Sequence, residues 1–325
     1  MKNKMTLRIA IIAGLIITMQ SNFVRCFGKD KSDATTARQQ NTGRDASSGP
    51  LDIANEQYKQ GLNYAKYGLY EQAIEMYTKS IAKNPDNPDA YKNLGAAYAQ
   101  SEKYDEAIGA FQKFLERIPE HSEVLYQLGS AYFDKGDFKS ASETFEKTIK
   151  IKPDNRPAYS LLGIAYTKTG KYDEAVRVLQ KRVELDPNFA IVHSNLGIAY
   201  SMKGMEKEAL EEYRKAVEID PGHENGLYNI GILYEKMGNV DEAVKYFNKT
   251  VEVNSSNSDA QYRLGKNYIK KKQYDEAINA FQIAVMSNPR NVEIYREIGD
   301  AYNAKGMATE AKGYFALYEK QSKKK

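Results

Sequence analysis

Residues 162–175 read LGIAYTKTGKYDEA, and the same frame returns as LGIAYSMKGMEKEA at 196–209 and as LGAAYAQSEKYDEA at 94–107. These copies are offset by multiples of 34 residues, and following that interval outward fixes the organisation of the chain. Glycines stand at 61, 95, 129, 163, 197, 231, 265 and 299, tyrosines at 64, 98, 132, 166, 200, 234, 268 and 302, and alanines at 73, 107, 141, 175, 209, 243, 277 and 311. Three registers kept in step identify a tandem array of one small structural unit, which buries its apolar face by stacking on its neighbours. Counted from residue 54, the units are 54–87, 88–121, 122–155, 156–189, 190–223, 224–257, 258–291 and 292–325.

Within a unit, Tyr91, Leu94, Gly95 and Tyr98 fall at i, i+3, i+4 and i+7, one stripe of a helix, and Ala107, Ile108, Phe111 and Leu115 make a second stripe. Between the two lies a turn, usually with a glycine (Gly68, Gly136, Gly170, Gly204, Gly238, Gly306) where the first helix needs a left-handed cap. Pro85, Pro119, Pro153, Pro187, Pro221 or Pro289 then stops the second helix. Each unit is predicted to be a helical hairpin, and the chain to be all-α. The TGK fragment is accordingly an inter-helix turn: Gly170 and Lys171 lack the glycine spacing of a phosphate-binding loop. The other glycine register, in mid-helix, costs about 1 kcal/mol per residue against alanine. Close approach of the second helix, with its small alanine opposite, is the expected compensation, so Gly163→Leu should wedge a hairpin apart.

The pattern resembles the tetratricopeptide repeat family. The W-x2-L-G-x2-Y, A-x3-F, P signature of that family is met in residues 91–119 with Tyr91 in place of tryptophan, and the resemblance covers residues 54–325. The chain departs from it in having no tryptophan and in Ser255 where the sixth unit should have proline. The resemblance implies an α-solenoid of eight helical hairpins wound into a right-handed superhelix, with an inner surface of first helices that binds peptides or proteins. In the last unit Lys312 and Glu319 replace mostly apolar residues of the second helix, as a capping repeat requires. Phe315, Leu317 and Tyr318 remain there, which leaves self-association through the last repeat open.

A second face of the first helix, at unit positions 2, 5, 6, 9, 12 and 13, varies between units, and by resemblance it is the concave surface. It carries Tyr126, Gln127 and Phe133, then Leu161 and Ile164, then Asn195, Ile198 and Met202, then Tyr228, Asn229 and Ile232. Such a strip of apolar residues with amides beside it suits an extended or helical peptide, because an amide side chain both donates to and accepts from a backbone. Packing of Ile164, Ile198 and Ile232 against neighbouring helices is the alternative. Arg263, Lys266 and Lys270 make the seventh first helix basic, a place for a partner's carboxylate. The family's clamp for chaperone C-terminal tails is matched at Asn229 and Arg263 but not at Ser194, Ile198 or Asp259, so that partner class is set aside.

The remaining composition narrows the function. Lys2, Lys4, Arg8 and Arg25 precede residue 28 with no acid among them, and without them 43 basic residues face 43 acidic ones, so charge balance gives no reason to expect a nucleic acid. Ile9 to Met19 is an apolar run behind a basic start, the build of a secretory signal; as a helix it spans roughly 16 Å, against roughly 30 Å for a bilayer core. Residues 1–28 are therefore read as a signal peptide or an N-terminal anchor, the anchor running over residues 5–24, with lipidation at Cys26 disfavoured by its flanks. Residues 29–50 have the composition of a flexible polar tether. One cysteine and three scattered histidines, taken as surface or loop residues, offer no disulfide and no metal-ligand spacing. No nucleophile with a base, paired carboxylates or cofactor loop stands out from the repeat register. The reading is a non-enzymatic, cofactor-free scaffold that binds a protein or peptide in its groove, exported to the periplasm or secreted, or else a membrane-anchored assembly component of the cell envelope.

Overall fold

Sixteen helices and no strand make up residues 49–323, the part of the chain that the computed structural model describes. The expected signal or anchor and the expected tether as far as residue 48 lie outside the described residues. The helices fall into two compact units divided between Leu185 and Asp186. The first holds α1 (Pro50–Lys66), α2 (Tyr70–Lys83), α3 (Pro88–Gln100), α4 (Tyr104–Leu115), α5 (Ser122–Lys135), α6 (Phe138–Ile151), α7 (Arg156–Thr169) and α8 (Tyr172–Leu185). The second holds α9 (Ala190–Lys203), α10 (Glu206–Ile219), α11 (Glu224–Lys236), α12 (Val240–Val253), α13 (Ser258–Lys270), α14 (Tyr274–Ser287), α15 (Glu293–Ala304) and α16 (Ala308–Ser322). In each unit odd and even helices pair as hairpins, and the second helix of one hairpin packs on the first helix of the next. This is an all-α solenoid of helical hairpins.

Local chemistry sets the boundaries. Helix α1 starts at Pro50, inside the stretch assigned to the tether, because proline is suited to the first helical position and the Asp52 carboxylate accepts from the Gly49 N–H at 3.2 Å. Asn155 and Asn257 cap α7 and α13 by accepting from the Ala158 and Ala260 N–H groups. After the first helix of a hairpin the chain turns through positive φ at Gly68, Gly136, Gly170, Gly204, Gly238 and Gly306, between 72° and 90°. Where the register lacks glycine, Glu102 and Lys272 adopt the same left-handed conformation at φ 58°. A side chain there is strained by about 1 kcal/mol or more, partly offset because glycine loses more chain entropy on folding. Glu102→Gly and Lys272→Gly are each expected to raise the urea midpoint, and Gly170→Ala to lower it; a uniform sign across the three would contradict this account.

The mid-helix glycines have a different partner from the one expected. The alanines at 73, 107, 141, 175, 209, 243, 277 and 311 are buried as predicted, but each glycine faces the residue one turn further along the second helix. A Cβ on Gly61, Gly95, Gly129, Gly197, Gly231, Gly265 or Gly299 would lie 2.4–2.7 Å from the ring of Tyr77, Phe111, Phe145, Tyr213, Phe247, Phe281 or Phe315 respectively, and on Gly163 it would meet Leu179. The alanine lets the helices approach, and the ring occupies the space that the glycine leaves.

Helices α1 and α16 each carry polar residues at a register that inner helices fill with apolar ones. On α1, Glu56, Gln60 and Asn63 hold the register where α3 buries Ala90, Leu94 and Ala97 and α5 buries Val124, Leu128 and Ala131. Gln60 donates to Glu56 across that face at 3.0 Å. At the other end Lys312 and Glu319 are exposed and Ala311 is the one buried residue of α16, although Leu317 remains 40% exposed.

Candidate functional site

In the first unit, Tyr126 and Phe133 of α5 are half-buried and turned partly toward their own hairpin. The Tyr126 ring lies 5.9 Å from that of Phe145, and Phe133 meets Phe138 edge-on at 5.1 Å. Leu161 of α7 is half-buried, while Ile164 is 2% exposed. In the second unit Asn195 and Ile198 of α9 and Tyr228, Asn229 and Ile232 of α11 are all buried, and Met202 is half-buried. Of the two readings open for the isoleucines, an exposed strip or packing on neighbouring helices, burial favours packing: Ile198 and Ile232 are 5% and 2% exposed. Isoleucines so enclosed have already gained the free energy of leaving water and offer little surface to a partner.

The tyrosines at unit position 5 share one geometry. Tyr58, Tyr126, Tyr228 and Tyr262 set their rings 5.8–5.9 Å from Tyr77, Phe145, Phe247 and Phe281 of the same hairpin. In Tyr58 and Tyr228 the hydroxyl reaches the next first helix. Tyr58 Oη accepts from Asn93 Nδ2 at 2.8 Å, and Tyr228 Oη accepts from Arg263 Nε at 3.0 Å.

The basic residues of α13 are not bare charges. Arg263 lies with its guanidinium 5.7 Å from the centre of the Tyr228 ring and donates to Glu235 of α11 at 2.6 Å. Asn267, fully buried, donates to the Glu235 carboxylate and to the Arg263 carbonyl, and Lys270 reaches the same carboxylate at 3.4 Å. Lys266 pairs with Glu297 of α15 at 2.9 Å. Burial works against the Lys266 charge, but the hydrogen bond and charge of Glu297 outweigh it and raise its pKa. The first helices α11, α13 and α15 are thus joined by a row of charged and amide side chains. Glu235 and Glu297 were missed in the sequence, although both occupy inner positions. The available signal was opposite charge on that face at separations of 28 and 31 residues, about one repeat.

His193 also departs from expectation, being buried in the second unit instead of lying on the surface. It takes a position where other units place Tyr91, Leu125 or Tyr159. Its Nδ1 is 2.6 Å from a Glu212 oxygen and its Nε2 is 2.8 Å from the Pro187 carbonyl oxygen. The hydrogen bond to Glu212 raises the imidazole pKa above its ordinary value. Burial pushes the Glu212 carboxyl up, yet the hydrogen bonds from His193 and Lys215 outweigh that and its pKa falls.

Among the described residues no group of three or more His, Cys, Asp or Glu side chains is placed to hold a metal ion, and no helix is long and apolar enough to cross a membrane.

Tetratricopeptide repeat profiles match residues 58–122, residues 165–204, 207–238 and 265–306, and residues 225–257, together more than half of the chain. The chain belongs to the tetratricopeptide repeat family. A profile described as anaphase-promoting complex, cyclosome, subunit 3 matches residues 103–182. No curated protein matches the chain. Among solved structures, the C-terminal part of a TPR repeat-containing protein from Cytophaga hutchinsonii is 18% identical with a TM-score of 0.61, covering 74% of this chain and 99% of that one. A tetratricopeptide repeat protein from Parabacteroides merdae is 17% identical with a TM-score of 0.60, covering 77% and 98%. MamA from Desulfovibrio magneticus, in a form spanning residue 41 to its end, is 26% identical with a TM-score of 0.51, covering 53% and 97%. Tetratricopeptide repeat proteins are generally non-catalytic, and the fold of this chain supports a protein–protein interaction scaffold.

Proposed function

We propose that this tetratricopeptide repeat protein is a non-enzymatic, exported scaffold that binds a protein or peptide segment on the inner face of its first helices. The observation that carries the reading is the row joining α11, α13 and α15, where Arg263, Asn267 and Glu235 hold one another while the Lys266 and Lys270 side chains remain 40% and 46% exposed. A partner meets there a surface that is already ordered, so binding costs little side-chain entropy. Because Ile164, Ile198 and Ile232 are enclosed, contact falls on Met202, Lys266 and Lys270 and on the edges of the tyrosines. The basic start and apolar run at residues 1–28 support export. Tagged full-length protein and a Met202→Glu, Lys266→Glu, Lys270→Glu variant of unchanged circular dichroism are to be compared in pull-downs from the native envelope fraction. Loss of the main partner from the variant is expected. Equal recovery from both would move binding off this face.

A further inference from the structure

The connection between α8 and α9, residues 186–189, is tied down by His193. A carbonyl oxygen only accepts, so the 2.8 Å contact to Pro187 requires a proton on Nε2. The 2.6 Å contact to Glu212 places an acceptor at Nδ1 as well, and both contacts are satisfied together when the ring carries two protons. The charged groups of α10 beside it are Glu212, Lys215 and Glu218, with Glu211 reaching Lys215. Lys215 sits 3.0 Å from both Glu211 and Glu212, and Lys215 and Glu218 line an open cavity of about 530 Å³ together with Pro187, Asn188, His193 and Ile219. The connection itself contributes one titratable residue, Asp186.

A neutral imidazole keeps a single N–H, so one of the two acceptors must then face a lone pair. The carboxylate is the stronger acceptor, since its hydrogen bond is charge-assisted. The remaining proton therefore stays on Nδ1 toward Glu212, and Nε2 turns its lone pair on the Pro187 oxygen. We propose that His193 is a pH-operated latch on residues 186–189: charged, it holds the connection through the Pro187 carbonyl; neutral, it keeps Glu212 and lets the connection go. The sign agrees with linkage. A histidine raised in the folded state supplies its stabilisation in full below about pH 6.5, its unfolded value, and loses it as pH rises through the folded value.

The test is amide hydrogen exchange of the full chain from pH 5.5 to 9, corrected for intrinsic rates, read on peptides spanning Asn188 to Val192, with the His193 ring titrated by NMR alongside. Protection of these amides is expected to fall severalfold across the His193 titration, and to be flat with pH in His193→Gln. Glu212→Gln removes the charged acceptor and is expected to move the midpoint down toward pH 6.5; it decides the matter if His193→Gln does not fold. A histidine that titrates at or below pH 6.5 overturns the latch, as does an unchanged pH dependence in either variant.

Discussion

Gly163→Leu is expected to lower the stability of the first unit by about 3–4 kcal/mol, seen as a lower urea midpoint and as lost amide protection in α7 and α8 before the other hairpins. A Cβ at Gly163 would stand 2.4 Å from Leu179 Cγ and 2.6 Å from Cδ2. Leu179 is fully buried, so neither side chain has free space to enter, and overpacking of this kind costs about 1–3 kcal/mol for a few added atoms and more for a whole side chain. The helix propensity recovered by removing a glycine, about 1 kcal/mol, is too small to compensate. Two controls isolate the mechanism. Gly109 lies inside α4 with nothing within 4 Å of the place a Cβ would take, so Gly109→Ala is expected to stabilise by up to about 1 kcal/mol. Gly163→Ala with Leu179→Ala is expected to cost less than the sum of the single changes, since the shortened residue 179 makes room for the new methyl. Additive costs in that cycle would show that the glycine is not answering to Leu179.

Glu235→Ala is expected to cost about 2–4 kcal/mol, several times the loss at an exposed ion pair. Glu235 accepts from Arg263, Asn267 and Lys270, and the Arg263 and Glu235 side chains are 20% and 18% exposed. Removing the carboxylate leaves an arginine that is largely out of water without its counter-charge, and the cost of such an orphan exceeds what the intact pair contributes. Lys305→Ala provides the contrast. Its partner Asp275 is 74% exposed, and surface pairs of this type are worth about 0–1 kcal/mol. Because Glu235 and Arg263 lie on different first helices, the loss should appear as cooperative loosening of α11 against α13. Similar midpoints for the two variants would mean that the row is ornament on a face held by other contacts.

The period, the helical hairpins, the glycine turns and the family resemblance were all legible in the sequence, because each depends on spacing along one chain. A 34-residue interval, an i, i+3, i+4, i+7 stripe and a proline at unit ends are one-dimensional signals, and local backbone physics converts them directly into helices and turns. What faces what across the packed array needed the tertiary structure. Alanine was the natural partner to expect for the mid-helix glycine, yet the ring or leucine one turn on fills that space. Ile164, Ile198 and Ile232 lie on a variable stripe that reads as a surface, but packing encloses them. Arg263 and Lys266 read as cations awaiting a partner, while carboxylates about one repeat away meet them. His193 stands in a register that other units fill with apolar or aromatic residues, and its acceptors come from the preceding connection and from α10. The sequence by itself determined the elements and their order. Only the packing of one helix on the next decided which side chains remain available, because burial and pairing depend on distances between residues that periodicity never brings together.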